Sequence, residues 1–143
     1  MKYQHILLAV DFSLNIEHVA EKAKTLAQIH QAKLSILHVL DNIPMPDTNY
    51  GTQIYLNEDT GYALLETEKK KLVALAKKFS IEDDNQWLVW GVPNEEIIAF
   101  AEQKQVDLIV LGTHGKHGLS LLLGSTSNSV LHHAPCDILA VRL

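Results

Sequence analysis

The sequence predicts an α/β fold: a Rossmann-like, open, parallel five-stranded sheet with four helices on its two faces, in three α/β/α layers. Short apolar runs alternate along the chain with segments whose apolar residues recur at helical spacing. The runs are continuously apolar, which is typical of parallel strands buried on both faces. A length of 143 residues suits one domain with one core. We therefore expect a single domain spanning residues 1–143.

Five apolar runs are candidate strands, and their order with the helical segments predicts right-handed crossovers into a parallel sheet. They are His5–Val10, Leu34–Leu40, Trp87–Trp90, Asp107–Leu111 and Asp137–Val141. Residues 41–60 fit neither pattern. They are rich in Pro, Asn, Asp and Thr and too long for an ordinary connection, so we expect a mobile flap there.

Four segments between the strands are candidate helices. Apolar residues recur at positions i, i+3 and i+4 within Ile16–Ala27 and again within Tyr62–Phe79. Pro93, followed by two glutamates, is typical of a helix start. Ser125 is a candidate N-cap of a fourth helix, which must end before Pro135.

Charge and composition exclude several classes of protein. A net charge of −5 argues against non-specific nucleic-acid binding and against a polybasic membrane anchor. No apolar stretch reaches transmembrane length, and the first run is too short for a signal-peptide core, so we expect a cytoplasmic protein without a membrane partner. Cys136 is the single cysteine, so no intrachain disulfide can form, and we interpret it as a buried structural thiol.

The carboxyl ends of the strands are the place to look for a ligand. In open α/β sheets, ligands bind beyond these ends, where the strand order reverses. Asp11 directly follows the first run, and a carboxylate there could hold a ribose hydroxyl or a metal-bound triphosphate. Alternatively, Asp11 and Ser13 satisfy the first turn of the following helix. The sequence leaves both interpretations open.

A glycine-rich segment follows the fourth run and reads LGTHGKHGLSLLLGSTSNSV over residues 111–130. Glycines let a backbone approach a ligand closely, and successive N–H groups in such a loop form an anion-binding nest. The following helix start, with the hydroxyls of Ser125 and Thr126, would add donors to a phosphate cradle. The alternative is an ordinary glycine-rich turn. The segment matches neither the Walker loop nor the Rossmann dinucleotide fingerprint.

Histidines near this segment raise the alternative of an enzyme or a metal site. They are His114, His117, His132 and His133. A metal or acid–base site needs its groups brought to one point, yet the chain has no HExxH, no Cys–His set and no GxSxG elbow. We therefore expect a binding protein rather than an enzyme, with no catalytic residues and no metal ligands.

Several sequence pieces together resemble the universal stress protein A family over essentially the whole chain. They are the opening HILLAVDFS, the pair His38-Val39, DLIVLGTHG, LLLGSTSNSVL and the closing APCDILAV. The resemblance implies a Rossmann-like fold and a regulatory role in stress response. It also implies a homodimer that pairs along the last strand, Asp137 to Val141.

The resemblance further implies ATP or AMP as ligand, with Mg²⁺ accompanying ATP. ATP-binding members carry G-x2-G-x9-G-[ST]; Gly112, Gly115 and Gly124-Ser125 match it, except that eight residues separate the second and third glycines. By the same resemblance, Asp11 lies near the ribose or metal and Val39 near adenine. The complete set of nucleotide-site candidates is Ala9, Val10, Asp11, Val39, Leu111, Gly112, Thr113, His114, Gly115, Gly124, Ser125, Thr126 and Ser127.

The family also contains members that lack the glycine motif and are not thought to bind ATP. Residues 61–79, after their long polar loop, look more like those members. The alternative function is therefore a dimerisation or signalling module regulated by partner contacts or by phosphorylation near the glycine segment.

Overall fold

The computed structural model describes residues 2–12, 15–41, 51–112 and 132–142, and these residues form an α/β fold as predicted. Residues Asp83–Asn85 form a 3₁₀ turn before the fourth strand. The strands and helices in chain order are β1 His5–Val10, α1 Ile16–His30, β2 Lys33–Leu40, β3 Thr52–Gln53, α2 Ala63–Lys78, β4 Gln86–Trp90, α3 Pro93–Gln103, β5 Leu108–Gly112 and β6 Asp137–Val141.

The sheet has the strand order β3-β4-β2-β1-β5-β6, and β1 lies at its centre. All strands except β3 run parallel, with Ile6 of β1 opposite Leu34 of β2 on one side and Leu108 of β5 on the other. From β1 the chain first moves outward through β2 to β4 and then crosses back to β5 and β6. The strand order therefore reverses between β1 and β5, which defines the crevice where such folds bind ligands.

Strand β3 was not predicted, and it makes the sheet one of six strands instead of the predicted five. Thr52 and Gln53 pair antiparallel with Trp90 and Val89. The positive φ of Gly51 (87°) turns the chain into this pairing, and the backbone N–H of Gly51 donates to the Trp90 carbonyl. Two residues are too few to show the alternation that identifies a strand in a sequence.

The second half of the predicted flap is tied to the fold rather than mobile. Ile54 is 6% exposed, and its N–H donates to the Leu88 carbonyl. The Lys69 ammonium of α2 is buried, donates to the Glu58 carbonyl and pairs with Glu66. Residues 42–50 of the predicted flap lie outside the described residues.

Helices cover both faces of the sheet, because alternate strand residues point to opposite sides. One core contains Ile6, Leu8 and Val10 of β1 together with the apolar stripes of α1 and α2. The other contains Leu7 of β1 and the buried residues of α3.

The predicted fourth helix lies mostly outside the described residues, although His132 and His133 are helical. None of the helices in the described part of the chain has the length and apolar character needed to cross a membrane.

Candidate functional site

Three predicted site residues, which we call the apolar floor, lie on the face of the sheet that α3 covers. Ala9, Val39 and Leu111 lie on adjacent strands and contact the same core cluster as α3. Val39 and Leu111 are 6% and 3% exposed, whereas Ala9 is only partly buried. Gly112 is buried at the end of β5, next to Leu111. The structure thus brings together four of the predicted site residues from three neighbouring strands.

Val10 belongs to the opposite face. Its side chain is 6% exposed within the core that α1 and α2 cover, away from Ala9 and Val39. Its carbonyl oxygen lies 2.9 Å from Nδ1 of His38. The side chain of Val10 therefore does not contribute to the apolar floor.

Asp11 lies just beyond β1, in a segment with unusual backbone geometry. Helix α1 begins at Ile16 with Asn15 as its N-cap, so Asp11 lies four residues before the cap. Phe12 follows with φ 58°, a left-handed conformation that bulky residues rarely adopt. Such strain often occurs at functional sites, because surrounding contacts must hold it in place.

The phosphate half of the predicted site lies outside the described residues. Its candidates are Thr113, His114, Gly115, Gly124, Ser125, Thr126 and Ser127. They remain predictions of the sequence.

Sequence reasoning missed a role for His38, which it noted only as part of a strand motif. His38 is buried in β2, and the ring of Phe12 meets its imidazole edge-on with centroids 4.7 Å apart. Its Nε2 lies 3.2 Å from Oε2 of Glu68 on α2. Burial lowers the pKa of His38, while the Val10 carbonyl, Glu68 and Asp11 act in the opposite direction. The sequence offered one signal for such a role: His38 directly precedes Val39, a candidate site residue near the end of the same strand.

His5 is a second buried histidine, at the opposite end of the sheet. Its Nδ1 lies 2.9 Å from the Lys104 carbonyl and its Nε2 lies 2.7 Å from the Ser35 hydroxyl. The carbonyl accepts from Nδ1–H and the hydroxyl donates to Nε2, so the neutral ring is fully hydrogen-bonded. Burial lowers the pKa of His5 as it does that of His38.

We expect the protein to lose stability as the pH falls below about 6.5, the ordinary histidine pKa. Both folded-state pKa values are lowered, so the unfolded chain binds more protons over the window between the ordinary and the folded values. Each histidine then contributes a loss of at most about 1.4 kcal/mol per pH unit. Urea unfolding at pH 7.5 and pH 5.5 measures the loss. His5→Gln and His38→Gln should each flatten it, and an unchanged pH slope in both variants contradicts the assignment.

Cys136 precedes β6 and is partly buried. Burial and the carboxylates of Asp137 and Asp107 raise the pKa of its thiol to about 11. A thiol with such a pKa carries little of the reactive thiolate at neutral pH, which agrees with a structural role. Within the described ranges, no group of three or more His, Cys, Asp or Glu side chains converges on a common point.

Comparison with known proteins yields one consistent family. The profile of the Universal stress protein family matches residues 2–142. Universal stress protein A homolog 1 of Coxiella burnetii is 37% identical, with 99% of this chain and 97% of the relative covered. Homolog 2 of the same organism is 39% identical, with coverages of 99% and 96%.

Solved structures agree in fold. The protein MJ0577 superimposes with a TM-score of 0.72 at 26% identity, covering 100% of this chain and 98% of its own. That relative comes from Methanocaldococcus jannaschii. A universal stress protein in complex with cAMP gives a TM-score of 0.66 at 22% identity, with coverages of 99% and 98%. Full-length similarity in both sequence and fold leads to one conclusion: this chain belongs to the universal stress protein family.

Proposed function

We propose that this protein is a regulatory adenine-nucleotide-binding protein of the stress response that acts in the cytoplasm, with its site in the crevice between β1 and β5. The observation that carries the proposal is the meeting of Ala9, Val39 and Leu111 at the point where the strand order reverses. Parallel α/β sheets bind their ligands there.

The residues of the crevice suit the base and the ribose of a nucleoside. An apolar floor of small and branched side chains suits a flat base, which needs contact area and few polar partners. Asp11, beyond the end of β1, supplies a carboxylate that can accept hydrogen bonds from ribose hydroxyls. The glycine segment after Gly112 would hold the phosphates through backbone N–H groups, with Mg²⁺ accompanying ATP.

Fold comparison supports the ligand class. A universal stress protein with this fold has been crystallised with cAMP, so the fold accommodates an adenine nucleotide. We propose binding rather than catalysis, because the roles proposed for the carboxylate, the apolar floor and the backbone amides are contacts that hold a nucleotide and include no bond-breaking step.

The proposal is tested by mass spectrometry of the purified protein for co-purified nucleotide, followed by calorimetric titration with ATP, AMP and cAMP, with and without Mg²⁺. We expect saturable binding of at least one adenine nucleotide in the micromolar range and no comparable binding of the guanine analogue. Absence of binding at millimolar concentrations rejects the proposal.

We further propose a homodimer that forms along β6. In the described sheet, β6 is an outer strand, and β5 is the neighbour with which it pairs. Ile138, Leu139 and Ala140 are all partly exposed there. An outer strand that, within the described residues, pairs on one side only and carries partly exposed apolar side chains favours pairing with a second copy.

Leu139→Glu is expected to raise the dimer dissociation constant at least tenfold, because it brings two like charges close to a two-fold axis. Val73→Glu on α2 is the control, since Val73 is 41% exposed and distant in sequence from β6. Sedimentation equilibrium of both variants, with circular dichroism to verify folding, provides the measurement. If Leu139→Glu associates as strongly as the control, β6 is not the interface.

The second candidate function is a dimerisation or signalling module that binds no nucleotide and is regulated by partner contacts or phosphorylation. The position of β6 at the edge of the described sheet favours it independently of the crevice. A stable dimer that fails to bind any adenine nucleotide in the titration is the result that selects this candidate.

A further inference from the structure

His38 connects three parts of the molecule around the crevice. It belongs to β2 and is 6% exposed. Its Nδ1 contacts the carbonyl of Val10, the last residue of β1, and its ring meets that of Phe12 in the turn that follows. Its Nε2 contacts Glu68 of α2. One buried imidazole therefore joins the carboxyl end of β1 to α2, and Asp11 lies between the two β1-side contacts.

When the His38 ring is neutral, it carries one N–H, whereas both of its hydrogen-bond partners are acceptors. A carbonyl oxygen only accepts, so Nδ1 must carry the proton of its hydrogen bond to Val10. Nε2 of a neutral ring is then an acceptor, and it faces a carboxylate oxygen of Glu68 that also only accepts. The 3.2 Å contact becomes a hydrogen bond when a further proton is present between these two atoms.

The two buried histidines differ in this respect. The Nε2 of His5 faces the Ser35 hydroxyl, which can donate a hydrogen bond, so His5 is satisfied while neutral. His38 faces a carboxylate at the corresponding atom. The arrangement at His38 is therefore specific to that position and does not follow from burial of a histidine alone.

Charged groups around His38 bias its protonation in both directions. Oε1 of Glu68 lies 3.5 Å from the ammonium of Lys71. This positive charge weakens the electrostatic attraction between the carboxylate and a protonated imidazole. Asp11 adds a negative charge on the β1 side. Burial opposes the charged ring and is the largest influence, so the pKa of His38 lies below its ordinary value. The second proton is consequently taken up at a lower pH than by an ordinary histidine.

We propose that His38 is a proton-dependent positioning residue: a proton on Nε2 completes the bridge to Glu68 and thereby fixes the segment Val10–Phe12 against α2. Resting on the proposed function, the same bridge regulates the nucleotide crevice, because the segment it fixes contains Asp11. Nucleotide affinity should then change below about pH 6.5, where histidine takes up a proton.

Glu68→Gln tests the bridge without altering its size. The glutamine amide can donate a hydrogen bond to an unprotonated Nε2, so the bridge no longer needs the second proton. Loss of the carboxylate also removes a charge that favours the imidazolium, so the pKa of His38 should fall further below its ordinary value. Glu17→Gln is the matched control, because it removes the same charge from a 61% exposed side chain that pairs with Lys78 on the surface.

The decisive measurement is an NMR pH titration of the free protein. In the wild type and in Glu17→Gln, the amide signals of Asp11 and Phe12 should move with the same midpoint as the His38 ring. In Glu68→Gln, the His38 midpoint should shift to lower pH, and the two amides should stay constant through the wild-type midpoint. An equal His38 midpoint in the wild type and Glu68→Gln overturns the proposal, as do amides that ignore the His38 titration in the wild type.

A second measurement separates this proposal from the proposed function. The ratio of AMP dissociation constants between Glu68→Gln and wild type should change severalfold from pH 7.5 to pH 5.5, because the bridge depends on pH only in the wild type. Ionisation of the ligand affects both proteins equally and cancels in this ratio. A constant ratio overturns the link between the bridge and the crevice. If neither protein binds nucleotide, the proposed function fails, while the titration of the free protein still decides whether the bridge exists.

Discussion

Replacement of Asp11 by asparagine is expected to weaken adenine-nucleotide binding about ten- to a hundredfold. A hydrogen bond to a charged group contributes about 1.5–3 kcal/mol, and each 1.4 kcal/mol corresponds to a factor of ten in affinity. Asparagine keeps the size of the side chain and one acceptor oxygen but loses the charge. Calorimetric titration of both proteins with the nucleotide that binds most tightly measures the effect.

The control for this substitution is Asp84→Asn. Asp84 is exposed in the 3₁₀ turn before β4, at the amino end of the sheet, whereas Asp11 follows the carboxyl end of β1. The control should bind nucleotide as the wild type does. Equal affinities in all three proteins would remove Asp11 from the site, provided that urea unfolding shows Asp11→Asn to be folded under the conditions of the titration.

Replacement of Leu8 by alanine is expected to lower the free energy of unfolding by about 2–5 kcal/mol, because a buried leucine leaves both lost apolar contacts and a cavity. Leu8 lies in the central strand, is completely buried and contacts the core that α1 and α2 cover. A domain of ordinary stability has about 5–15 kcal/mol in total, so this loss is large. Urea unfolding with linear extrapolation measures it.

The matched control is Leu64→Ala in α2. Leu64 is 66% exposed, so the same deletion of atoms removes little buried surface. Its effect should stay within about 0.5 kcal/mol. Similar losses at both positions would contradict the assignment of Leu8 to the packed centre of the fold.

The fold could be predicted from the sequence to the extent that burial leaves a pattern. The five long strands follow continuous apolar runs, and α1 follows its helical spacing, because burial on two faces or one imposes these periodicities. Observed bounds differ from the predicted ones by one or a few residues, as for β4, which begins at Gln86. Thr52–Gln53 left no such pattern, since their pairing with β4 depends on backbone groups and the turn at Gly51.

For the candidate site, the sequence could indicate where to look but not how its residues contact one another. Fold class and strand order indicate the crevice, and the predicted Ala9, Val39 and Leu111 share one face there. That Val10 points to the other face follows from alternation along β1 and could have been seen in advance. The contact of His38 with Glu68 joins residues 30 positions apart, and neither this contact nor the left-handed backbone of Phe12 leaves a pattern in a single sequence.

The most direct test of the nucleotide crevice is a map of backbone amide shifts on addition of a saturating adenine nucleotide. We predict the largest shifts at Ala9, Asp11, Val39, Leu111 and Gly112, with little change at His5 and Asp107 at the amino end of the sheet. Shifts concentrated at the amino end, or along β6 alone, would contradict a nucleotide site between the carboxyl ends of β1 and β5.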